Sequence, residues 1–171
     1  LSPTDTAHIY SVTIIVPDRR GLLSKAAGVL AHNSLRVHSA SVNSHQGSAI
    51  NTFAVSPHFG APPPAELLRQ QLILAIEGEF DVVGELELRG AEGSETLRVG
   101  DVRSAVPINP PAARPRVLWH EGGGPGQLVA EVRAADRAGL LSVLTAVFER
   151  AEVDIAWAKV TTLGSSVVDA F

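Results

Sequence analysis

One six-residue stretch, Asp18-Arg19-Arg20-Gly21-Leu22-Leu23, returns 118 residues later as Asp136-Arg137-Ala138-Gly139-Leu140-Leu141. The same offset pairs Ser24 with Ser142, Val29 with Val147, Ala40 with Ala158, Val42 with Val160, Ser48 with Ser166 and Phe53 with Phe171. A repeat of this length is far longer than a solenoid unit, so the chain holds two copies of one module and not an array. With 171 residues, two small domains follow.

Each copy of the motif lies between a strand and a helix. Before the first, Tyr10, Val12, Ile14 and Val16 alternate as one apolar strand face; before the second, Leu128, Ala130, Val132 and Ala134 do so. After the first, Leu22, Ala26 and Leu30 recur at helical spacing, with Leu23 and Ala27 beside them; after the second, Leu140, Leu144, Val147 and Phe148 do. The motif is therefore a strand-to-helix turn. Asp18 and Asp136 are placed to accept hydrogen bonds from the free N–H groups that open the helix. Gly21 and Gly139 permit a tight turn or a close backbone approach. Capping and turn chemistry alone would account for the motif at this level.

Between the helix and residue 57 the first copy carries two strand-like runs, Leu35 to Val42 and Ala49 to Val55, joined by Asn43-Ser44-His45-Gln46-Gly47. The apolar parity shifts between Val37 and Ala40, as at a β-bulge; Ile155 before Ala158 and Val160 repeats the pattern. A second helix is expected from Pro64 to Glu77, with Leu68, Leu72 and Ile76 inward and Gly78 as terminator. A fourth strand would complete a β-α-β-β-α-β unit. Val82 to Leu88, ending in Glu85-Leu86-Glu87-Leu88, is the preferred candidate; pairing of 116–120 with 128–134 is the alternative. The expected fold class is α+β, two ferredoxin-like βαββαβ modules with the second incomplete. The boundaries are 8–89 for the first module, 90–115 for a Gly- and Pro-rich linker and 116–171 for the second. Absence of Met, a start at Leu1 and an end at Phe171 inside a strand-like run suggest a piece of a larger protein.

Composition narrows function by exclusion. Net charge is −4 and no basic run occurs, which argues against a nucleic-acid partner. Without Cys there are no disulfides or thiolate metal sites. No apolar run approaches the roughly 20 residues of a membrane span, and a cytoplasmic location is expected. The six His lack metal-ligand spacing and read as surface residues, so no metal and no cofactor is expected. Gly122-Gly123-Gly124-Pro125-Gly126 lacks the Lys and helix of a phosphate loop. Trp119 and Trp157 read as packing residues. No nucleophile–base pair stands out, so no catalytic residue is assigned and the chain is not read as an enzyme in itself.

The order strand, Asp-Arg-x-Gly-Leu-Leu, helix, β-hairpin resembles the ACT domain family. The second copy, with Val132 to Leu141, Ala158-Lys159-Val160-Thr161-Thr162-Leu163-Gly164 and Val167-Val168-Asp169-Ala170-Phe171, is similar to the C-terminal ACT pair of the bacterial PII uridylyltransferase/uridylyl-removing family, where an Asp two residues before an aromatic marks the third strand. The first copy departs from that pattern: Asn51 replaces the Asp and Arg20 stands where Pro is usual, as Ala138 does in the second. The resemblance covers about 9–78 and 116–171.

The resemblance implies a regulatory region that binds an amino acid, glutamine above all, and reports nitrogen status allosterically to a nucleotidyltransferase catalytic domain acting on PII protein. It implies ligand contacts at Asp18, Gly21, Leu22 and Leu23, at Asp136, Gly139, Leu140 and Leu141, or at both, with the modules pairing with each other or with a second chain. A helix N-terminus favours the ligand carboxylate, and an Asp beside it suits the ammonium. The alternative is a stand-alone tandem ACT regulator acting by protein–protein contact, like the glycine-cleavage repressor type.

Overall fold

The computed structural model describes residues 1–86, 88, 114–122 and 124–171. The elements run β1 Ser2–Pro3, β2 Tyr10–Pro17, α1 Leu22–His32, β3 Leu35–His45, β4 Ser48–Pro57 and α2 Ala65–Glu77. A helical segment α3 follows at 82–86. Then come β5 Arg116–Glu121, β6 Leu128–Ala135, α4 Leu140–Arg150, β7 Ala158–Leu163 and β8 Ser166–Ala170.

All eight strands form one antiparallel sheet in the order β1-β2-β4-β3-β7-β8-β6-β5. The α+β class and the antiparallel ferredoxin-like arrangement expected of ACT modules are both present. Period-two patterning sends Val12, Phe53 and Val55 of the first half, and Val132 and Val160 of the second, to one face. That face packs on Leu23, Ala26, Val29 and Leu30 of α1, Leu68 and Leu72 of α2 and Leu141 of α4, in a single core. The opposite face carries exposed residues such as Ile15.

The two halves join edge to edge. Ala40 pairs with Val160 and Val42 with Ala158. Ala158 and Val160 are the counterparts of Ala40 and Val42, so the junction is self-complementary about Ser41 and its partner Lys159. Helices α1 and α4 pack on each other above this junction. The repeat is thus built as an internal pseudo-dimer, and each half covers an edge strand of the other.

Several local expectations are met. Helices begin at Leu22 and Leu140, one residue after Gly21 (φ 77°) and Gly139 (φ 75°). The β3–β4 turn puts Gln46 and Gly47 at φ 51° and 75°, the positive values a two-residue hairpin turn requires. The register of β3 shifts between Val37 and Ser39, where the apolar parity changed. Helix α2 ends at Gly78 in the left-handed conformation.

Others are corrected. Residues 82–86 are helical, not a strand. The Asp81 carboxylate accepts the Gly84 N–H at 3.0 Å, a capping bond that starts a helix, and Val82 is buried against α1 beside Gly28. The segment Arg116–Glu121 pairs with Leu128–Ala135 and lies at the edge of the second half. The position beside β2 is taken by the two residues of β1. Residues around Ile155 are not a strand, and β7 begins only at Ala158. Trp119 and Trp157 are exposed, not packed inside. The expected linker falls almost wholly outside the described residues. Among the described residues no helix packs on α4 as α2 packs on α1: Val29 is buried, whereas its counterpart Val147 is 53% exposed. Among them, too, no helix is long and apolar enough to cross a membrane.

Candidate ligand-binding site

Each motif turn opens onto a cleft completed by the other half of the chain. The cleft at Asp136–Leu141 measures about 450 Å³ and is lined also by Ala27, Ala31, Leu35, Arg36, Val37 and Asp169. The cleft at Asp18–Leu23 measures about 440 Å³ and is lined by Thr145, Glu149, Val153, Asp154, Ile155 and Asn51 at the equivalent places. The two are pseudo-symmetric copies, of a size that fits a small ligand. All eight residues expected at the site line one cleft or the other, four in each.

The role expected of the two Asp residues as helix caps is corrected. Neither Gly21 nor Gly139, the residues at the cap positions, is joined by a capping side chain. Asp18 instead accepts a hydrogen bond from the Ser44 hydroxyl on the adjacent hairpin. Asp136 accepts from Arg36 of the other copy, at 3.0 Å from Nε and 2.6 Å from Nη2. The backbone reason is distance along the chain: each Asp precedes its cap glycine by three residues, with the turn between.

The second-copy cleft sets a helix N-terminus opposite a buried acid. In the first turn of α4 the N–H groups before Val143 have no intrahelical acceptor, and Leu140 N–H reaches only back to the Arg137 carbonyl at 3.2 Å. Partial positive charge at such an end attracts a carboxylate. Across the cleft, Asp169 on β8 is 1% exposed, and its Oδ1 has no hydrogen-bond partner. Burial, with a smaller push from Asp136, raises the Asp169 carboxyl to about 6 despite a hydrogen bond from the Thr161 backbone. An orphaned buried carboxylate oxygen is costly unless something meets it, and an ammonium group is the complementary partner.

The first-copy cleft differs where it matters. Asn51 stands in place of Asp169, Asp154 in place of Arg36, and Glu149 in place of Ala31. Arg20 donates to Asp154 at 2.9 Å.

No family model matches the chain, and no solved structure does. Among curated proteins, a bifunctional uridylyltransferase/uridylyl-removing enzyme of Mycobacterium tuberculosis is 53% identical over the whole chain. The chain is homologous to part of this enzyme family. The corresponding enzyme of Streptomyces coelicolor is 34% identical over 92% of the chain, and that of Gluconobacter oxydans 28% over 99%. The chain spans about a fifth of the length of these relatives, from 17% to 21%.

Arg36, Asp169 and Glu149 were not among the residues expected to contact a ligand. Asp169 was visible as the Asp two residues before Phe171, but only the fold places it opposite the α4 turn. Arg36 and Glu149 belong to the other copy from the turns they touch, so no local pattern marks them.

Proposed function

We propose that this chain is an amino-acid-sensing regulatory region of a PII-modifying nucleotidyltransferase, with glutamine as the favoured ligand and its site at Asp136–Leu141. The observation that carries the reading is the cleft itself: an open helix N-terminus for a carboxylate, faced by the buried Asp169, whose Oδ1 has no hydrogen-bond partner, for an ammonium. The homology to uridylyltransferase/uridylyl-removing enzymes supports the regulatory setting, with PII protein and a catalytic domain as the partners.

Glutamine is favoured on the resemblance to the uridylyltransferase/uridylyl-removing family, and the titration below separates it from glutamate. The cleft is lined by two cations, Arg36 and Arg137, and two carboxyl groups, Asp136 and Asp169, and Arg36 is already paired with Asp136. Regulation then requires that glutamine bind two states of the whole enzyme with different affinity. The position of the site between the halves suits this, since a shift across the β3–β7 junction would reshape the cleft.

The test is calorimetric titration of the full-length protein with glutamine and with glutamate, repeated for Asp169→Asn. Glutamine binding in preference to glutamate, weakened more than about tenfold by the substitution, is the expected result, since a hydrogen bond to a charged group contributes about 1.5–3 kcal/mol. No heat with any amino acid at millimolar concentration would overturn the reading in favour of a module acting by protein–protein contact alone.

A further inference from the structure

The two clefts are pseudo-symmetric copies, yet only in the first does a carboxylate from the other half rest on the turn glycine. Glu149, in the last turn of α4, reaches across to the start of α1. A methyl group on Gly21 would stand 2.0 Å from Glu149 Oε1 and 2.7 Å from Oε2, so the carboxylate rests directly on the turn glycine. Ser24 Oγ donates to Glu149 Oε2 at 2.6 Å, and Lys25 Nζ lies 3.7 Å from Oε1. These contacts place a negative group beside the first turn of α1, held by the Ser24 hydroxyl and near the Lys25 ammonium, at the helix end whose partial charge is positive.

The second copy lacks this arrangement. The counterpart of Glu149 is Ala31, and a methyl group on Gly139 would find nothing nearer than Leu86 at 3.6 Å and Ala31 Cβ at 3.9 Å. The change at the ammonium end matches. Where the protein supplies the carboxylate, the buried acid is replaced by the neutral Asn51; where the turn is open, Asp169 is retained.

We propose that Glu149 occupies the carboxylate position of the first-copy cleft, so that the Asp18–Leu23 turn is a self-filled copy of the site and the chain offers one amino-acid site, at Asp136–Leu141. The nature of the ligand rests on the function proposed above, whereas the occupancy by Glu149 does not. The intramolecular carboxylate has no translational entropy to lose, so it outcompetes a free ligand at ordinary concentrations. It also ties the C-terminal turn of α4 to the N-terminal turn of α1, holding the two halves in one relative position.

Two measurements on the full-length protein test this. The first is the melting temperature of wild type and Glu149→Ala in sodium acetate, with sodium chloride as the ionic-strength control. Acetate should raise the Tm of E149A by about 2–4 °C and leave wild type unmoved; an equal response of the two proteins overturns the proposal. Glu149→Ser carries the same comparison if the alanine variant does not fold. The second is the glutamine stoichiometry by calorimetry: one per chain in wild type, and none for Ala31→Glu, which places a carboxylate at the open turn. Two ligands per wild-type chain, or undiminished binding by A31E, overturn it. If acetate rescues only E149A while glutamine binds no form of the protein, the self-filled cleft stands and the amino-acid reading falls.

Discussion

The Ser142 hydroxyl donates to the Ser24 carbonyl oxygen at 3.0 Å, and these two residues are the same position of the two copies. They meet where α1 and α4 cross, above the Ser41–Lys159 pair at the centre of the sheet junction. The pseudo-twofold axis therefore runs through both layers. Ser142 is fully buried, and Ser24 is 1% exposed. A small residue is needed at this crossing to let the helix backbones approach. Ser142→Ala should lose about 1 kcal/mol, the net value of one hydrogen bond. Ser142→Leu should lose more, about 1–3 kcal/mol, by forcing the helices apart. Urea denaturation of both variants checks the order; a leucine variant as stable as wild type would mean that the crossing is not close-packed.

The pair Arg36–Asp136 also joins the two copies. Arg36 Nη2 donates both to Asp136 and, at 3.0 Å, to the Gly164 carbonyl. A guanidinium fork suits this set of acceptors, and an ammonium does not reproduce it. Arg36→Ala leaves the mostly buried Asp136 without its cation and should destabilise by about 1–3 kcal/mol. Arg36→Lys should recover less than half of that. Full recovery by lysine in denaturant titrations would show that charge alone matters here and the fork does not.

Asp169 gives the site a pH signature. Its folded-state pKa, raised to about 6 by burial, exceeds the ordinary value of about 4. Between those values the folded chain holds a proton that the unfolded chain has released, so this group makes stability fall as pH rises from about 4 to about 6, and flat above. A ligand ammonium favours the ionised form and reverses the preference. Glutamine affinity should therefore rise as pH goes from about 5 to about 7, with proton release on binding at the lower end. Titrations in buffers of different ionisation enthalpy measure this directly. Asp169→Asn should abolish the release; unchanged proton release in that variant would assign it to another group.

How much of this was legible in the chain depended on whether the signal was local. The repeat, the strand–turn–helix junctions, the bulge near Val37 and the Gln46-Gly47 turn all follow from neighbouring residues, and each is where the sequence indicated. The helix at 82–86 is hidden in the sequence because Glu85-Leu86-Glu87-Leu88 alternates like a strand, while the deciding features are the Asp81 cap and burial of Val82 against Gly28. The site was only half legible. The motif marked the turns, but Arg36 and Glu149 reach them from the other copy, across about a hundred residues of sequence. Only the edge-to-edge pairing of β3 with β7 brings them there.

The two turn glycines make a controlled comparison. Gly21 and Gly139 have nearly identical backbone conformations, φ 77° and 75° with ψ 0°. An alanine at either position incurs the same left-handed penalty, about 1–2 kcal/mol. The surroundings differ: a side chain at 139 enters open space near Leu86 and Ala31, whereas one at 21 collides with the Glu149 carboxylate. Gly21→Ala must also displace Glu149 from Ser24 and Lys25, so it should cost more than Gly139→Ala by about 1.5–3 kcal/mol, the value of a hydrogen bond to a charged group. The excess belongs to one contact and should vanish when that contact is gone, so the double variant Gly21→Ala/Glu149→Ala should be additive only if the two residues do not interact. A double-mutant cycle by chemical denaturation measures the coupling. A coupling energy near zero would place the Glu149 carboxylate away from Gly21 in solution, and would leave the first-copy cleft as open as the second.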